Sequence, residues 1–493
     1  MTRTVAFIGA GFSGTLVAVH LLRSAASRAA LRVVLIDRST SMARGLAYAT
    51  DNDLHLLNVP AGGMSALADD PQHFLRYCHR QRLCASADDF LPRATYGRYL
   101  EDLLDEAERS ASGRVLLERR VDSVLALTPG VAGRGAYLSL REGGALWADQ
   151  VVLASGHFPP ADPAPVGVQV RAGGRYLRDP WAAGALHGIA QQDPIGVLGS
   201  GLTALDTLIA LRQRGHRGEI LCLSRRGLRP QAQRSGVAPG WQALETLLPV
   251  LGRGARAALR ALREGLEMAA EGGLDWRDAL ASLRVHTASI WQAWPLCERR
   301  RFLRHLQAYW EVHRHRCAPS TAALLAEMER GGRLRIRAGR LLRVETCRGG
   351  LELAWRARGE RQARTHEVAW LINCTGPDTR LQHTDCPLIA GLLRQGLICP
   401  DELGLGLRVA EDYAVIGAAG LPWPALRYLG PLLKARDWEA TAVPELRVHA
   451  RQLAEQLSLA LTGSEACRVE RIAWRAGTGG VPVGRDRPAG LDV

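Results

Sequence analysis

The chain has 493 residues, 47% apolar and 23% charged, a balance that excludes a disordered protein. It is too long for one ordinary core, and its length suggests about three domain-sized units. The net charge of +14 comes almost wholly from scattered Arg, with Lys434 the only lysine, which argues against a nucleic-acid partner.

Polar residues, Gly or Pro interrupt every run that approaches the roughly 18 apolar residues of a membrane span, so no membrane partner is expected. The apolar residues 4–8 run straight into a glycine loop, unlike a signal peptide, and a cytoplasmic protein is expected. Ten cysteines are irregularly spaced with no Cys-x-x-Cys pair, so a dithiol electron shuttle is disfavoured.

In chain order, a strand at 5–8 enters Gly9-Ala10-Gly11-Phe12-Ser13-Gly14. A helix follows through Leu16, Val19, Leu21 and Leu22, and a second strand at 31–36 ends at Asp37 and Arg38. That is the opening βαβ of a dinucleotide fold. After a loop-rich stretch, the spacing predicts a helix at 96–109 and strands at 115–124, 137–140 and 151–154. The last of these stops at Ser155-Gly156-His157. A Pro-rich stretch at 159–165 marks a domain crossing.

The unit then recurs. A strand at 195–198 enters Gly199-Ser200-Gly201-Leu202-Thr203-Ala204, an amphipathic helix ends near Gly215, and a strand at 219–223 ends at Ser224-Arg225-Arg226. Helical sequence fills 241–330. Strand-like runs follow at 334–336, 351–355 and 368–372, the last ending before Thr375-Gly376. A strand at 413–416, a final helix at 443–461 and a loose Gly- and Pro-rich end complete the chain.

Each glycine in the first loop has a separate task. Gly9 permits the tight turn, Gly11 leaves the backbone bare for a pyrophosphate, and Gly14 lets helix and strand pack closely. The helix start at Phe12 and Ser13 offers unpaired N–H groups to phosphate. Asp37 can accept from a ribose diol, so the first loop is assigned FAD. The second loop, with Ala204 in place of the third glycine, ends its second strand in Ser224-Arg225-Arg226. Two guanidinium groups and a hydroxyl suit a 2′-phosphate, which assigns NADPH, with a solvated turn as the alternative for both arginines.

Two such loops, the first at the N-terminus, resemble the two-dinucleotide-binding-domain flavoprotein superfamily, which includes the class B flavin monooxygenases. Gly45-Leu46-Ala47-Tyr48, residues 55–61, Met64-Ser65-Ala66, Asp69-Asp70-Pro71, residues 156–160, Pro180-Trp181, residues 201–206 and residues 438–447 narrow the likeness. They resemble the FAD/NAD(P)-binding family labelled YdhS-like, across nearly the whole chain.

The resemblance implies an α/β fold with two Rossmann-like domains: a discontinuous FAD domain interrupted by an NADPH domain that bears a helical insert. The expected bounds are 1–160 and 366–470 for the FAD domain, 161–365 for the NADPH domain with its insert at 237–330, and 471–493 for a loose tail. Ser155-Gly156 and Thr375-Gly376 stand where the superfamily joins its domains. Neither Ile416-Gly417 nor Leu429-Gly430 is followed by the Asp with which many members contact the flavin chain, so the segment meeting the flavin is left open.

Asn58 follows a loop that runs along the flavin by superfamily analogy, and its amide either serves the flavin or closes a turn; Met64 and Ser65 share that choice. His157 is either an acid, base or nicotinamide contact, or a structural histidine. The Arg-rich helix with Arg299, Arg300, Arg301 and Arg304, ending in His313-Arg314-His315-Arg316, is either a solvated face or an anion contact. Metal is disfavoured, because His313 and His315 point apart on a helix.

The expected activity is NADPH-dependent oxygenation of a small N- or S-containing substrate through a flavin C4a-(hydro)peroxide, with molecular oxygen as co-substrate. The alternatives are a reductase or dehydrogenase serving an organic or protein acceptor, and a non-catalytic flavin-binding protein. A homo-oligomer is left open.

Overall fold

The computed structural model describes residues 2–24, 30–84, 86–111, 113–234, 236 and 240–476, with side chains described as far as residue 461. The Gly- and Pro-rich end expected to be loose lies, beyond residue 476, outside the described residues.

Strands β1 (Arg3–Ile8), β2 (Leu31–Asp37) and β3 (Val115–Val121) are parallel neighbours. A small antiparallel sheet follows, made of β4 (Val124–Pro129), β5 (Ala136–Leu140) and β6 (Ala145–Ala148). The chain then pairs β7 (Gln150–Leu153) with the free edge of β1.

It crosses to a second sheet of β8 (Tyr176–Leu177), β9 (Ile195–Leu198), β10 (Ile220–Ser224), β11 (Leu334–Cys347), β12 (Gly350–Ala357), β13 (Ala363–Val368) and β14 (Trp370–Asn373). It returns as β15 (Ala414–Ile416) and β16 (Pro422–Tyr428). The strand orders are β15-β16-β7-β1-β2-β3 and β13-β12-β11-β10-β9-β14-β8, so the first domain is discontinuous and the second interrupts it. The two crossings lie side by side: the Asn373 amide donates to Ala161 O at 2.9 Å, and Asp378 N–H donates to Pro159 O at 3.3 Å.

The central strands are apolar runs because helices cover the sheet, leaving Val5–Phe7, Val33–Leu35 and Val151–Leu153 with no exposed surface. The helix Phe12–Ser24 is buried from Ser13 to Leu22, packed between the sheet and the helices Arg93–Ser110 and Val443–Ala476. Separate cores serve the second sheet and the insert.

The structure adjusts two expected bounds. The run at 368–372 breaks at Ala369 into antiparallel β13 and parallel β14, and β14 pairs with β8 and β9. The second sheet therefore keeps the chain past the expected boundary at 365. The helix Pro319–Arg330, expected in the insert, buries Leu325 and Met328 against β9 and β10 and is the crossover helix into β11. The insert core is Trp241, Leu244, Leu251, Trp291, Trp294 and Phe302, closed by Trp438 from the returning chain. Trp291 and Trp294 thus serve as packing within the insert.

Candidate active site

Both glycine turns lie at the carboxyl ends of parallel strands, where open α/β sheets bind ligands. Gly9 has φ +104°, and a Cβ there would sit 2.6 Å from Ala154 O; a Cβ on Gly14 would meet Gly9 O at 2.1 Å. The turn is thus pressed onto the end of β7, as the packing argument requires. Gly11 faces Gly45, where a Cβ would come within 3.1 Å of the Gly11 Cα, so residues 45–48 close over the turn. Tyr48 stacks edge-on to Tyr96 at 4.7 Å, and the Phe12 ring lies 6.3 Å from Tyr96. Asp37 accepts from Ala10 N–H at 2.8 Å and from Ser39 N–H at 2.9 Å. A carboxylate has lone pairs to spare for a ribose.

The second turn repeats the design. Gly199 has φ +101°, and its Cβ would strike Cys374 O at 2.3 Å. Gly201, Gly156 and Gly376 each face open space, with nothing within 4 Å of an added Cβ. Ala204 is buried, and Leu202 and Thr203 are half-buried at the helix start. Ser224 is only partly available, since its hydroxyl accepts from Ser200 at 2.8 Å and from Gly227 N–H at 3.0 Å. Arg225 is exposed, whereas Arg226 turns to the insert and donates to Arg304 O at 3.0 Å.

Between the cradles lies a polar seam that sequence reasoning missed. Arg93 forks onto Asp206 of the helix Leu202–Gln213, at 2.9 and 3.2 Å. His55 Nε2 lies 3.0 Å from Asp206 O, and its Nδ1 lies 2.8 Å from Thr50 Oγ1. Burial raises the Asp206 carboxyl above its ordinary value despite the opposing charges of Arg93 and His55. Asp206 falls in the family-like segment 201–206, and the sequence signal for it is an acid among the apolar residues Leu205, Leu208 and Ile209 of one helix.

The returning chain builds another wall of the crevice. β16 is parallel to β7, so Leu429-Gly430-Pro431 leaves at the cradle end, with Leu429 N–H donating to Leu153 O at 3.1 Å. Ile416 pairs with Pro422 at the opposite end of β16. The 429–431 turn therefore lies at the cradle end of the first sheet and the 416–417 turn at the other end. Among the described residues Ser155 Oγ is buried at this edge with no hydrogen bond of ordinary geometry, beside the Tyr428 hydroxyl that donates to Ser155 O at 3.2 Å.

His157 is exposed to solvent at the crevice, yet desolvation by the surrounding walls, reinforced by the charge of Lys434, pushes the imidazole down to about 4. Lys434 Nζ is 2.9 Å from Glu311 of the insert, and His315 Nε2 is 2.9 Å from the same carboxylate. Burial pushes Glu311 up, but Lys434 and His315 outweigh it and hold the carboxyl well below the usual range.

Other expected site residues fall elsewhere. Ser65 is fully buried, and its hydroxyl donates to Asp70 O at 2.6 Å and accepts from Leu67 N–H at 3.2 Å, so it closes its own loop and is not free for a cofactor. Met64 is packed beside it, 2% exposed. Arg38 is exposed. Asn58 is half-buried, with an amide free of hydrogen bonds among the described residues. Thr375 is exposed and donates to Asn373 Oδ1 at 2.7 Å.

The solvated-face reading fails for two insert arginines. Arg314, half-buried, lies 3.2 Å from buried Glu439, and Arg316 is buried over Trp276 at 5.7 Å. The nine described cysteines are free. Cys78 and Cys84 do come within hydrogen-bonding reach, a proximity their spacing did not suggest. Burial pushes Cys78 up to about 12, and Cys84 is raised as well, which starves the pair of thiolate. Among the described residues no group of three or more His, Cys, Asp or Glu is placed to hold a metal, and no helix is long and apolar enough to cross a membrane.

The residues present fit two dinucleotides: two turns a Cβ would block, an acid behind one, guanidinium groups behind the other, and an orphaned hydroxyl between. Fold and site together define an architecture of two Rossmann-like dinucleotide-binding domains, the second inserted in the first. Residues 6–158 match a family model described as FAD-NAD(P)-binding.

Among solved structures, the chain is similar to the ornithine hydroxylase of Pseudomonas aeruginosa, at 16% identity and TM-score 0.63, covering 94% of this chain and 100% of that one. It is similar to the L-lysine 6-monooxygenase of Pseudomonas syringae at 16% identity and TM-score 0.62, over 93% and 100%. The ornithine N-hydroxylase of Kutzneria sp. 744, with reduced FAD, NADP+ and L-ornithine, aligns at 15% identity and TM-score 0.61, over 93% and 99%. No curated protein matches the chain by sequence.

Proposed function

We propose that the chain is an FAD-containing, NADPH-dependent monooxygenase acting on a small nitrogen-containing substrate, with sulfur compounds as the second class. The observation that carries this reading is the pair of cradles at the carboxyl ends of their two sheets, one backed by Asp37 and the other by Arg225 and Arg226. When bound, the flavin supplies hydride acceptance and oxygen activation.

The chain's own part is to bind and orient. Gly9, Gly11 and the start of the helix Phe12–Ser24 receive one pyrophosphate; Gly199, Gly201 and the start of the helix Leu202–Gln213 receive the other. Ser155, His157 and Lys434 line the crevice, and His157 is a neutral imidazole there, suited to hold a proton for the substrate or the nicotinamide amide. Asn58 is a further candidate, as an amide donor. The likeness to ornithine and lysine hydroxylases supports an amine as substrate. The raised thiols of Cys78 and Cys84 speak against a dithiol shuttle.

The test is an amine and sulfide panel assayed by NADPH consumption together with product mass. A product heavier by one oxygen, formed with matching NADPH use, supports the reading. NADPH oxidation that transfers electrons without oxygen incorporation points to a reductase, and a flavin that NADPH never reduces points to a binding protein.

A further inference from the structure

Resting on the reading that the second cradle takes NADPH, the geometry points to a 2′-phosphate clamp shared between the second sheet and the insert. Arg225 and Arg226 supply one side, and Arg358 with Tyr309 supplies the other. Neither Arg358 nor Tyr309 belongs to the strand–turn–helix motif.

Register brings these residues together. Ser224, at the end of β10, lies opposite Ala338 in the ladder with β11. The Arg358 N–H donates to Ala338 O at 2.9 Å, which fixes its backbone one strand beyond that pair. The turn at Gly227 presses on the same residue, since a Cβ there would come 3.1 Å from Ala338 N. Arg358 is thereby held beside the Arg225-Arg226 turn although it is far away in sequence.

The insert orients Arg226. Its Nη2 donates to Arg304 O at 3.0 Å and His305 O at 3.4 Å, the last residues of the helix Leu296–His305. Carbonyls at a helix end lack intrahelical partners and carry the negative end of the dipole, so this is a stable seat for a guanidinium. The same guanidinium lies over the Tyr309 ring at 5.4 Å. Nη2 is engaged in this way, and the guanidinium keeps further N–H donors for which an anion can compete.

Tyr309 ties the two sides together. Its hydroxyl is reached by the Arg358 guanidinium first and by Arg226 second, which together hold the phenol below its ordinary value. Among the described residues none of Arg225, Arg226 and Arg358 is paired with a carboxylate. Nearby arginines are: Arg229 meets Glu329 and Arg335 meets Glu219. Two guanidinium groups at one hydroxyl, with Arg225 exposed on the same turn and no acid paired with any of the three, repel one another and favour a dianion. Arg225 and Arg358 are exposed and Tyr309 is 40% exposed, so the phosphate has access.

The experiment is equilibrium binding of 2′,5′-ADP and 5′-AMP to the flavin-loaded protein, comparing wild type with Arg225→Ala, Arg358→Ala and Tyr309→Phe. Arg358→Ala is expected to weaken 2′,5′-ADP about tenfold, the worth of one charge-assisted contact, and to leave 5′-AMP unchanged. Tyr309→Phe should act in the same direction by a smaller factor. Wild-type affinity for 2′,5′-ADP in Arg358→Ala, beside a clear loss in Arg225→Ala, would overturn the shared clamp while leaving the NADPH reading intact. A wild type that binds the two nucleotides equally would overturn both.

Discussion

Arg93, at the start of a helix in the first domain, holds Asp206 in the second through two bonds of 2.9 and 3.2 Å, and both side chains are largely buried. Asp206 lies on the helix Leu202–Gln213 that leaves the second turn, and Arg93 also donates to Leu56 O, so the pair links the second cradle to the loop His55–Asn58. Removing one partner leaves a buried charge uncompensated, at a cost of about 3–5 kcal/mol. Asp206→Ala is expected to lower the melting temperature by several degrees and to slow flavin reduction by NADPH. The Arg93→Leu, Asp206→Leu double variant should recover part of the stability, and a thermal melt with a double-mutant cycle measures the coupling.

The glycine turns make separable predictions. Gly9→Ala places a methyl 2.6 Å from Ala154 O in a conformation that L side chains rarely adopt, and the purified variant should hold little FAD. Gly199→Ala makes the corresponding clash with Cys374 O. It should retain FAD while raising the NADPH Michaelis constant. Flavin-to-protein ratios and initial rates distinguish the two variants.

His157 sets a pH dependence. Its imidazole falls from 6.5 to about 4 in the fold, so it is neutral at working pH and the unfolded chain binds protons more readily. Its contribution to stability is present above about 6.5 and declines as the pH drops toward 4. His157→Gln should remove that slope from the acid side of a stability-versus-pH curve. It should also lower turnover without releasing FAD, and the turnover profile between pH 6 and 9 should show no His157 ionisation.

Glu311 acts at lower pH. Its folded carboxyl is held well below the ordinary 4.5 by Lys434 and His315, so its stabilisation is present above that value and is lost as the pH falls through the depressed one. Glu311→Gln is expected to cost about 2 kcal/mol near neutrality, the value of a charged hydrogen bond, and to flatten the acid limb. Urea titrations at pH 7 and pH 4 would measure both effects.

Local signals carried the two cradles. Gly9, Gly11, Gly14 and Asp37, and again Gly199, Gly201 and Arg225, were legible from turn geometry and phosphate chemistry within short stretches, and Gly9 and Gly199 do take the positive φ that such turns require. Contacts between distant segments were not legible. Strand β16 carries Pro422 and Pro424, which weaken a strand pattern, yet both precede Leu426–Tyr428, the part that pairs with β7. Ser65 looked available because nothing local shows that its own loop saturates its hydroxyl. Arg226 looked free because the carbonyls that hold it lie 78 and 79 residues away. Arg314 and Arg316 read as a solvated face because Glu439 and Trp276 come from segments far along the chain.

The most direct test is anaerobic mixing of the purified, flavin-loaded protein with NADPH while flavin absorbance is followed. The account predicts a yellow protein with stoichiometric FAD that NADPH bleaches much faster than NADH, with an Arg225→Ala, Arg226→Ala variant losing that preference. A protein that stays colourless after reconstitution, or a bound flavin that NADPH leaves oxidised, would contradict it.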